Sequence, residues 1–257
     1  MLDMNHGSGA VYGRDNAPPS DADAVTARVN AAIDAALLAR QRRQAPRDYL
    51  GGSRVGEPCA RKLVYEITHA PKERDFDASI LRVFDAGHQF EALSIRWLRQ
   101  AGFDLRDRGL DGEQFGFVAA RGRLRGHADG VIVAGPDVGI RWPCLWEHKA
   151  LGQKSWTDLV KRGLRLSKPI YFAQVQLYMA YFGIEVALLT ALNRDTLVLR
   201  HEAIPFDAAE AQRLSDHAVD ILRAADAGEV PPRVAQARDF YLCRFCPYAA
   251  RCWETRA

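Results

Sequence analysis

GHADGVIV, residues 126–133, and LWEHKAL, residues 145–151, decide how this chain is read. The first is a run of strand-forming residues broken by a carboxylate, Asp129, beside the turn-prone Gly130. The second carries Glu147 and Lys149 two positions apart. Side chains alternate between the faces of a strand, so Glu147 and Lys149 share one face while His148 points to the other. Gly135-Pro136-Asp137 makes a turn between candidate strands at 124–133 and 141–149, as an antiparallel hairpin needs. Such a hairpin carries Asp129 towards Glu147, so that two carboxylates and a lysine converge. Cross-strand ion pairs on an exposed face are the plainer explanation of such a set. Here WPCLW leads into the second stretch, and Val131 and Ile132 follow Asp129. The charges therefore interrupt strands that look buried, where a charge is costly unless it serves a site.

That combination suits phosphodiester hydrolysis. Carboxylates are the hard oxygen ligands that hold Mg²⁺ or Mn²⁺. The ion offsets charge on the transferring phosphoryl group, and a lysine beside it can orient the attacking water.

Outward from this hairpin, helices are expected at 23–44, with Val25, Val29, Ile33, Ala36 and Leu37 on one side, and at 58–68. Asp77 or Ser79 can cap a longer helix running to about Gln100 and ended by Gly102. A strand at 114–118 precedes the hairpin. Helices at 156–166 and 169–182, strands at 186–193 and 196–203, and a helix at 207–227 follow it. A Pro-rich linker and a cysteine-rich tail close the chain. The order points to an α/β domain with a central mixed sheet flanked by helices. Residues 1–20, rich in Gly, Asn, Pro and Asp, are expected to be disordered. They show no basic start followed by an apolar block, and no run of about 18 apolar residues occurs anywhere, so neither a signal peptide nor a membrane span is expected and a cytoplasmic location is.

The net charge of +3 does not by itself announce a nucleic-acid binder. Its distribution is more telling. Arg40, Arg42, Arg43 and Arg47 form one basic run, Arg121, Arg123 and Arg125 a second, and Lys154, Lys161, Arg162, Arg165 and Lys168 a third. Each alone reads as a solvated face. Together, around one catalytic candidate, they suggest a phosphate-binding groove. Of five cysteines, Cys243, Cys246 and Cys252 crowd the tail and Cys59 stands far upstream. Two-residue spacing lets adjacent thiolates bind one centre, and zinc or an iron–sulfur cluster would satisfy it. Cys144, on the strand face opposite Glu147, reads as a buried apolar thiol.

Gly126-x-x-Asp129, then Glu147-x-Lys149, then Gln174-x-x-x-Tyr178 on one helical face, resembles the RecB-type branch of the PD-(D/E)xK nucleases. The resemblance implies a restriction-endonuclease-like core in which Asp129 and Glu147 bind the metal, Lys149 assists the water, and Gln174 with Tyr178 organises the site and the DNA. It also implies an upstream helix with a metal-binding residue, for which DAGHQFEAL offers His88 and Glu91, three apart on one face. His127 is a neighbour only. YLGGSRVGEPCARKLVY at 49–65 and LCRFCPYAARCW at 242–253 are similar to iron–sulfur nucleases of the AddB and CRISPR-adaptation type and to a phage- or prophage-borne exonuclease family. There a [4Fe–4S] cluster, here on Cys59, Cys243, Cys246 and Cys252, joins the N- and C-terminal segments. The implied organisation is a disordered 1–20, a helical segment 21–78 carrying Cys59, a nuclease core 79–228 and an iron–sulfur segment 229–257. The implied activity is Mg²⁺- or Mn²⁺-dependent DNA exonuclease action in recombination or phage replication, with DNA and a recombination or replication protein as partners. A non-catalytic DNA-binding recombination module and a CRISPR-adaptation nuclease trimming spacer precursors are the competing expectations.

Overall fold

The computed structural model describes residues 19–73 and 77–254. The expectation for 1–20 therefore lies outside the described residues, except that Pro19 and Ser20 already begin a helix. The chain divides into two compact units, Met1–Ala45 with Asp77–Leu81, and Pro46–Phe76 with Arg82–Ala257. The described part of the first is helix α1 (Pro19–Arg42) and the start of α3 (Ala78–Gln100). Asp77 caps α3, its Oδ1 accepting the backbone N–H of Ser79 at 2.8 Å. On α1, Val25, Val29 and Ile33 are 50%, 52% and 43% exposed, so the expected apolar side remains largely open among the described residues.

In the second unit, the short strand β1 (Leu50–Gly51) leads through a 3₁₀ turn to α2 (Ala60–Ile67) and then α3. After α3 come β2 (Asp104–Arg106), β3 (Gly116–Ala119), β4 (Leu124–His127), β5 (Gly130–Ala134) and β6 (Cys144–Leu151). Helices α4 (Gln153–Ser167) and α5 (Pro169–Phe182), strands β7 (Val186–Asn193) and β8 (Leu199–Pro205), and helix α6 (Ala208–Asp226) follow. Two short helices, α7 (Tyr241–Arg244) and α8 (Ala249–Glu254), end the described chain.

The strands form two mixed sheets rather than one. The larger has the order β2-β5-β6-β7-β8, with β6 and β7 parallel and the other neighbours antiparallel. The smaller has the order β1-β4-β3, with β1 parallel to β4. The single strand expected at 124–133 is in fact two, because the chain leaves one sheet and enters the other at Ala128-Asp129. A polar residue ahead of a glycine is where such a ladder can be broken at little cost in packing.

Alternation along β6 sorts its side chains into two layers. Cys144 and Trp146 pack with Ile95 and Leu98 of α3, Leu105, Ile132 and Leu188. Leu145 and Leu151 face the main core with Phe172, Val175 and Met179 of α5 and Leu214 and Ile221 of α6. Helix α5 is largely apolar around its circumference, and its residues from Phe172 to Met179 are buried, Gln174 and Gln176 among them. Pro169 opens it, and Asp207 caps α6 by accepting Glu210 N–H at 3.0 Å. Cys144 is fully buried in the α3 layer, as its strand position required. No helix among the described residues is long and apolar enough to cross a membrane.

Candidate active site and cysteine cavity

The β5–β6 register pairs Gly130 with Trp146 and Val131 with Leu145. Continued by one residue, it sets Asp129 opposite Glu147. Asp129 sits in the joint between the two sheets, where its Oδ2 accepts the backbone N–H of His148 at 2.8 Å. Glu147 is 0% exposed. Its Oε1 accepts the Gln174 amide at 2.7 Å and also the Lys149 ammonium. Its Oε2 is buried with no hydrogen-bond partner among the described residues. An orphaned carboxylate oxygen of that kind is expensive unless something else approaches it.

Helix α5 supplies the wall of this site. Tyr171, Gln174 and Tyr178 follow at spacings of three and four and so line one face. The Lys149 ammonium lies 5.0 Å from the centre of the Tyr171 ring, which favours its charge. Tyr178 shares a backbone hydrogen bond with His127, and burial followed by the Glu147 charge pushes its hydroxyl up. Two glycines make room for that ring. A Cβ on Gly52 would come within 2.7 Å of Tyr178, and one on Gly126 within 2.8 Å of it and 2.4 Å of Phe117. Only hydrogen fits at either position.

From α3, Glu91 is half-buried and His88 exposed. Burial, and next the charge of Asp129, push Glu91 up to about 7. Burial also raises Asp129, against the pull of Lys149, the His148 N–H and His88. Glu147 is raised first by burial and then by Asp129. Burial alone would lower Lys149, but Glu147 and Asp129 together outweigh it and hold the ammonium charged. Three carboxylates thus share one half-buried cation. The set is short of positive charge, which a divalent ion would supply. As they stand, no three His, Cys, Asp or Glu side chains among the described residues are gathered closely enough to grip a metal ion.

His148 turns away from all this. Its ring is buried beneath α3, with Nε2 3.1 Å from Ser94 Oγ, and burial lowers its pKa to about 4. Tyr171 was missed in the sequence, although its place three residues before Gln174 was a readable signal.

The four candidate cysteine ligands meet in a second place. Cys59, at the start of α2, and Cys243, Cys246 and Cys252 of the tail all line one cavity, with Arg61, Lys62, Arg233 and Trp253 around them. None is in a disulfide. Burial raises the thiols of Cys59, Cys243 and Cys246, and each also feels the charge of another cysteine of the set. The Arg61 guanidinium donates to Cys252 Sγ at 3.6 Å and to the Pro231 carbonyl at 2.6 Å. Arg233 donates twice to the Cys252 carbonyl, at 3.0 and 2.9 Å. Tyr65 of α2 packs against Tyr248, with ring centres 5.4 Å apart. The tail is therefore held on α2 by contacts of its own, independent of any bound group.

The basic runs fare unequally. Arg162 and Lys168 are engaged by Asp158, and Arg165 by Asp207, so much of the third run is spent on local ion pairs. Arg123 is paired with Asp226 at 2.5 Å.

No family model matches the chain, and no curated protein matches it in sequence. Among solved structures, the alkaline exonuclease LHK-Exo from Laribacter hongkongensis aligns at TM-score 0.50 and 17% identity, over 70% of this chain and 89% of its own. LHK-Exo in complex with dAMP aligns with the same values. SSO0001 aligns at TM-score 0.46 and 16% identity, over 88% of this chain and 95% of its own. At such identities the likeness to LHK-Exo is one of fold: the chain is a mixed α/β protein similar in fold to that structure.

Proposed function

We propose that this protein is a metal-dependent DNA exonuclease whose active centre is Asp129, Glu147 and Lys149. One observation carries the reading: a fully buried Glu147 with an unpartnered oxygen, opposite Asp129 and beside Lys149, at the joint of two sheets in an exonuclease-like fold. The LHK-Exo likeness supports the fold half of that statement and the charge imbalance supports the metal half. Asp129 and Glu147 would hold Mg²⁺ or Mn²⁺, with Glu91 or His88 completing the shell. Such an ion supplies charge neutralisation at the phosphoryl oxygens and a more acidic water.

The chain's own residues do the rest. Gln174 and Lys149 both take Glu147 Oε1, which would leave Oε2 available to hold the ion. Lys149, kept protonated by its two carboxylates and steadied by Tyr171, is positioned to orient water or stabilise charge on the phosphoryl group. Tyr178, packed on Gly126, holds the strand that delivers Asp129.

The same reading assigns a [4Fe–4S] cluster to Cys59, Cys243, Cys246 and Cys252. What supports that assignment is four free thiols lining one cavity, with Arg61 and Lys62 beside them to offset thiolate charge. The nuclease core would then span 79–228, flanked by the 21–78 and 229–257 segments the cluster joins. End resection in recombination or phage DNA replication is the setting the motif resemblance implies.

The test is direct. Purified protein is incubated with end-labelled single- and double-stranded DNA in Mn²⁺ or in EDTA. Progressive release of short products with Mn²⁺ and none with EDTA is expected. Failure to cut either substrate under any metal sinks the nuclease assignment. Iron analysis and colour test the cluster separately: a brown, iron-bearing protein is expected, and a colourless one holding stoichiometric zinc overturns that part alone.

A further inference from the structure

The outward face of the smaller sheet holds an arrangement that the proposed chemistry does not use. Side chains directly opposite in an antiparallel pair share a face. Val118 and Arg125 are such a pair, and so are Gly116 and His127. Arg125 and His127 therefore project together, away from the side where Phe117 and Gly126 pack on Tyr178. On β1, Arg125 has Gly51 as its neighbour. Glycine neighbours at Gly51 and Gly116 leave room beside the two basic side chains, of which Arg125 is half-buried and His127 exposed.

Arg47 and Arg125 come from different basic runs, yet both guanidiniums rest against one ring. Their Cζ atoms lie 5.9 and 4.8 Å from the centre of Tyr49. Arg125 also donates through Nε to the Gly122 carbonyl at 2.9 Å, which fixes its fork and leaves its terminal nitrogens free to bind. That carbonyl is presented by a strained loop, since Ala120 and Arg121 both have left-handed φ, 48° and 55°. Non-glycine residues held so are costly and persist only where the surroundings enforce them. Neither Arg47 nor Arg125 has a carboxylate partner among the described residues. Two like charges gathered on one aromatic platform without a counter-ion repel each other, and an anion relieves that repulsion.

Platform and site are joined by one short stretch of chain. Arg125 stands four residues before Asp129, at most about 13 Å away at full strand rise, which is within a few phosphates along a DNA strand. We infer that Arg47, Tyr49 and Arg125, with His127 nearer the site, form a phosphodiester-backbone track that holds the substrate strand in line with Asp129 and Glu147. The inference rests on the nuclease reading and names the substrate contact that reading leaves open. Recognition here is of backbone charge and is independent of base sequence.

Binding of a fluorescent oligonucleotide in EDTA, measured across a salt series, tests it. Arg47→Ala and Arg125→Ala should each weaken binding about tenfold, as loss of one charge-assisted contact does. Each should also lower the slope of log K against log salt by about one, and the double variant by about two. Tyr49→Phe should bind as wild type does and Tyr49→Leu should not. Arg213→Ala, on α6, is the control that should leave the slope alone. Arg47 is exposed, so its variant keeps the test valid even if Arg125→Ala folds poorly; thermal melts report that. If the wild type cleaves DNA while the Arg47 and Arg125 variants keep its slope and affinity, the track is wrong and the nuclease reading stands. If the wild type neither binds nor cleaves DNA, both fall.

Discussion

The carboxylate–lysine site and the cysteine cavity are assembled in opposite ways. The first is built almost wholly from a hairpin and the helix after next, with Asp129, Glu147, Lys149 and Gln174 inside a span of 46 residues by their numbers, 129 to 174. Its groups are already bonded to one another: Gln174 and Lys149 to Glu147, and Asp129 to the backbone of β6. The second takes Cys59 from one end of the described chain and three cysteines from the other. Its thiols share a cavity without bonding to each other, and the surrounding Arg61, Arg233 and Tyr65–Tyr248 contacts do the holding. A site made of local strand geometry is preorganised by the backbone itself. A site made of distant segments depends on whatever joins them, so damage there should spread to the fold.

The sharpest break between the two regions is expected at Glu147. Glu147→Ala should reduce single-turnover DNA cleavage in Mn²⁺ by more than about 10³, and Lys149→Ala by roughly 10²–10³, the usual worth of one electrostatic group. Both variants should match the wild type in colour and metal content, whatever the cysteine cavity holds. Cleavage at wild-type rate by either would show that the catalytic site lies elsewhere.

Cys252→Ala should do the reverse. Loss of one ligand of a centre bridging distant segments weakens folding, because binding and folding are coupled. Its melting temperature should fall by several degrees, at about 2–4 °C for each kcal/mol lost in a chain of this size. Proteolysis should then begin in the tail. Cys144→Ala, a buried thiol in the layer under α3, should cost much less. Equal melts for the two variants would remove the distinction drawn between the regions.

A smaller effect should appear in pH. Glu91 is raised from 4.5 to about 7. A carboxyl raised on folding contributes stability that is complete below 4.5 and is lost as pH rises through 7. Metal-free protein should therefore lose stability across that window. Mn²⁺ affinity should rise across it, since the ion displaces the proton. Glu91→Gln should make both curves shallower, with the raised Glu147 and Asp129 carrying the rest; calorimetry at pH 5, 6, 7 and 8 reads them. Unchanged curves would leave His88 as the upstream ligand.

The smallest change is expected for His148→Ala. It breaks the bond to Ser94 in the α3 layer, at about 1 kcal/mol, while the backbone N–H that serves Asp129 remains. Cleavage should stay near wild type and the melt should drop slightly. A large loss of activity would mean that the two faces of β6 are not energetically separate.

Much of this was legible in the residues. The two-residue spacing of Glu147 and Lys149 assigned them to one face because a strand's period admits nothing else. The turn at Gly135-Pro136-Asp137 made Asp129 their partner, and helical spacing put Gln174 with Tyr178. Alternation likewise sent Cys144 and His148 to the opposite layer. The division into two sheets was not legible, because β3, β4 and β5 read as ordinary strand sequence on both sides of Asp129. Which ladder a strand joins is set by partners distant in sequence. The same holds for the orphaned Glu147 oxygen, for Glu91 titrating near 7, and for Arg47 and Arg125 meeting on Tyr49 while Arg162, Arg165 and Lys168 are spent on Asp158 and Asp207. Local period and spacing act within a few residues and are written in the chain. Burial, and which charge finds a partner, arise between segments and exist only once the chain has folded.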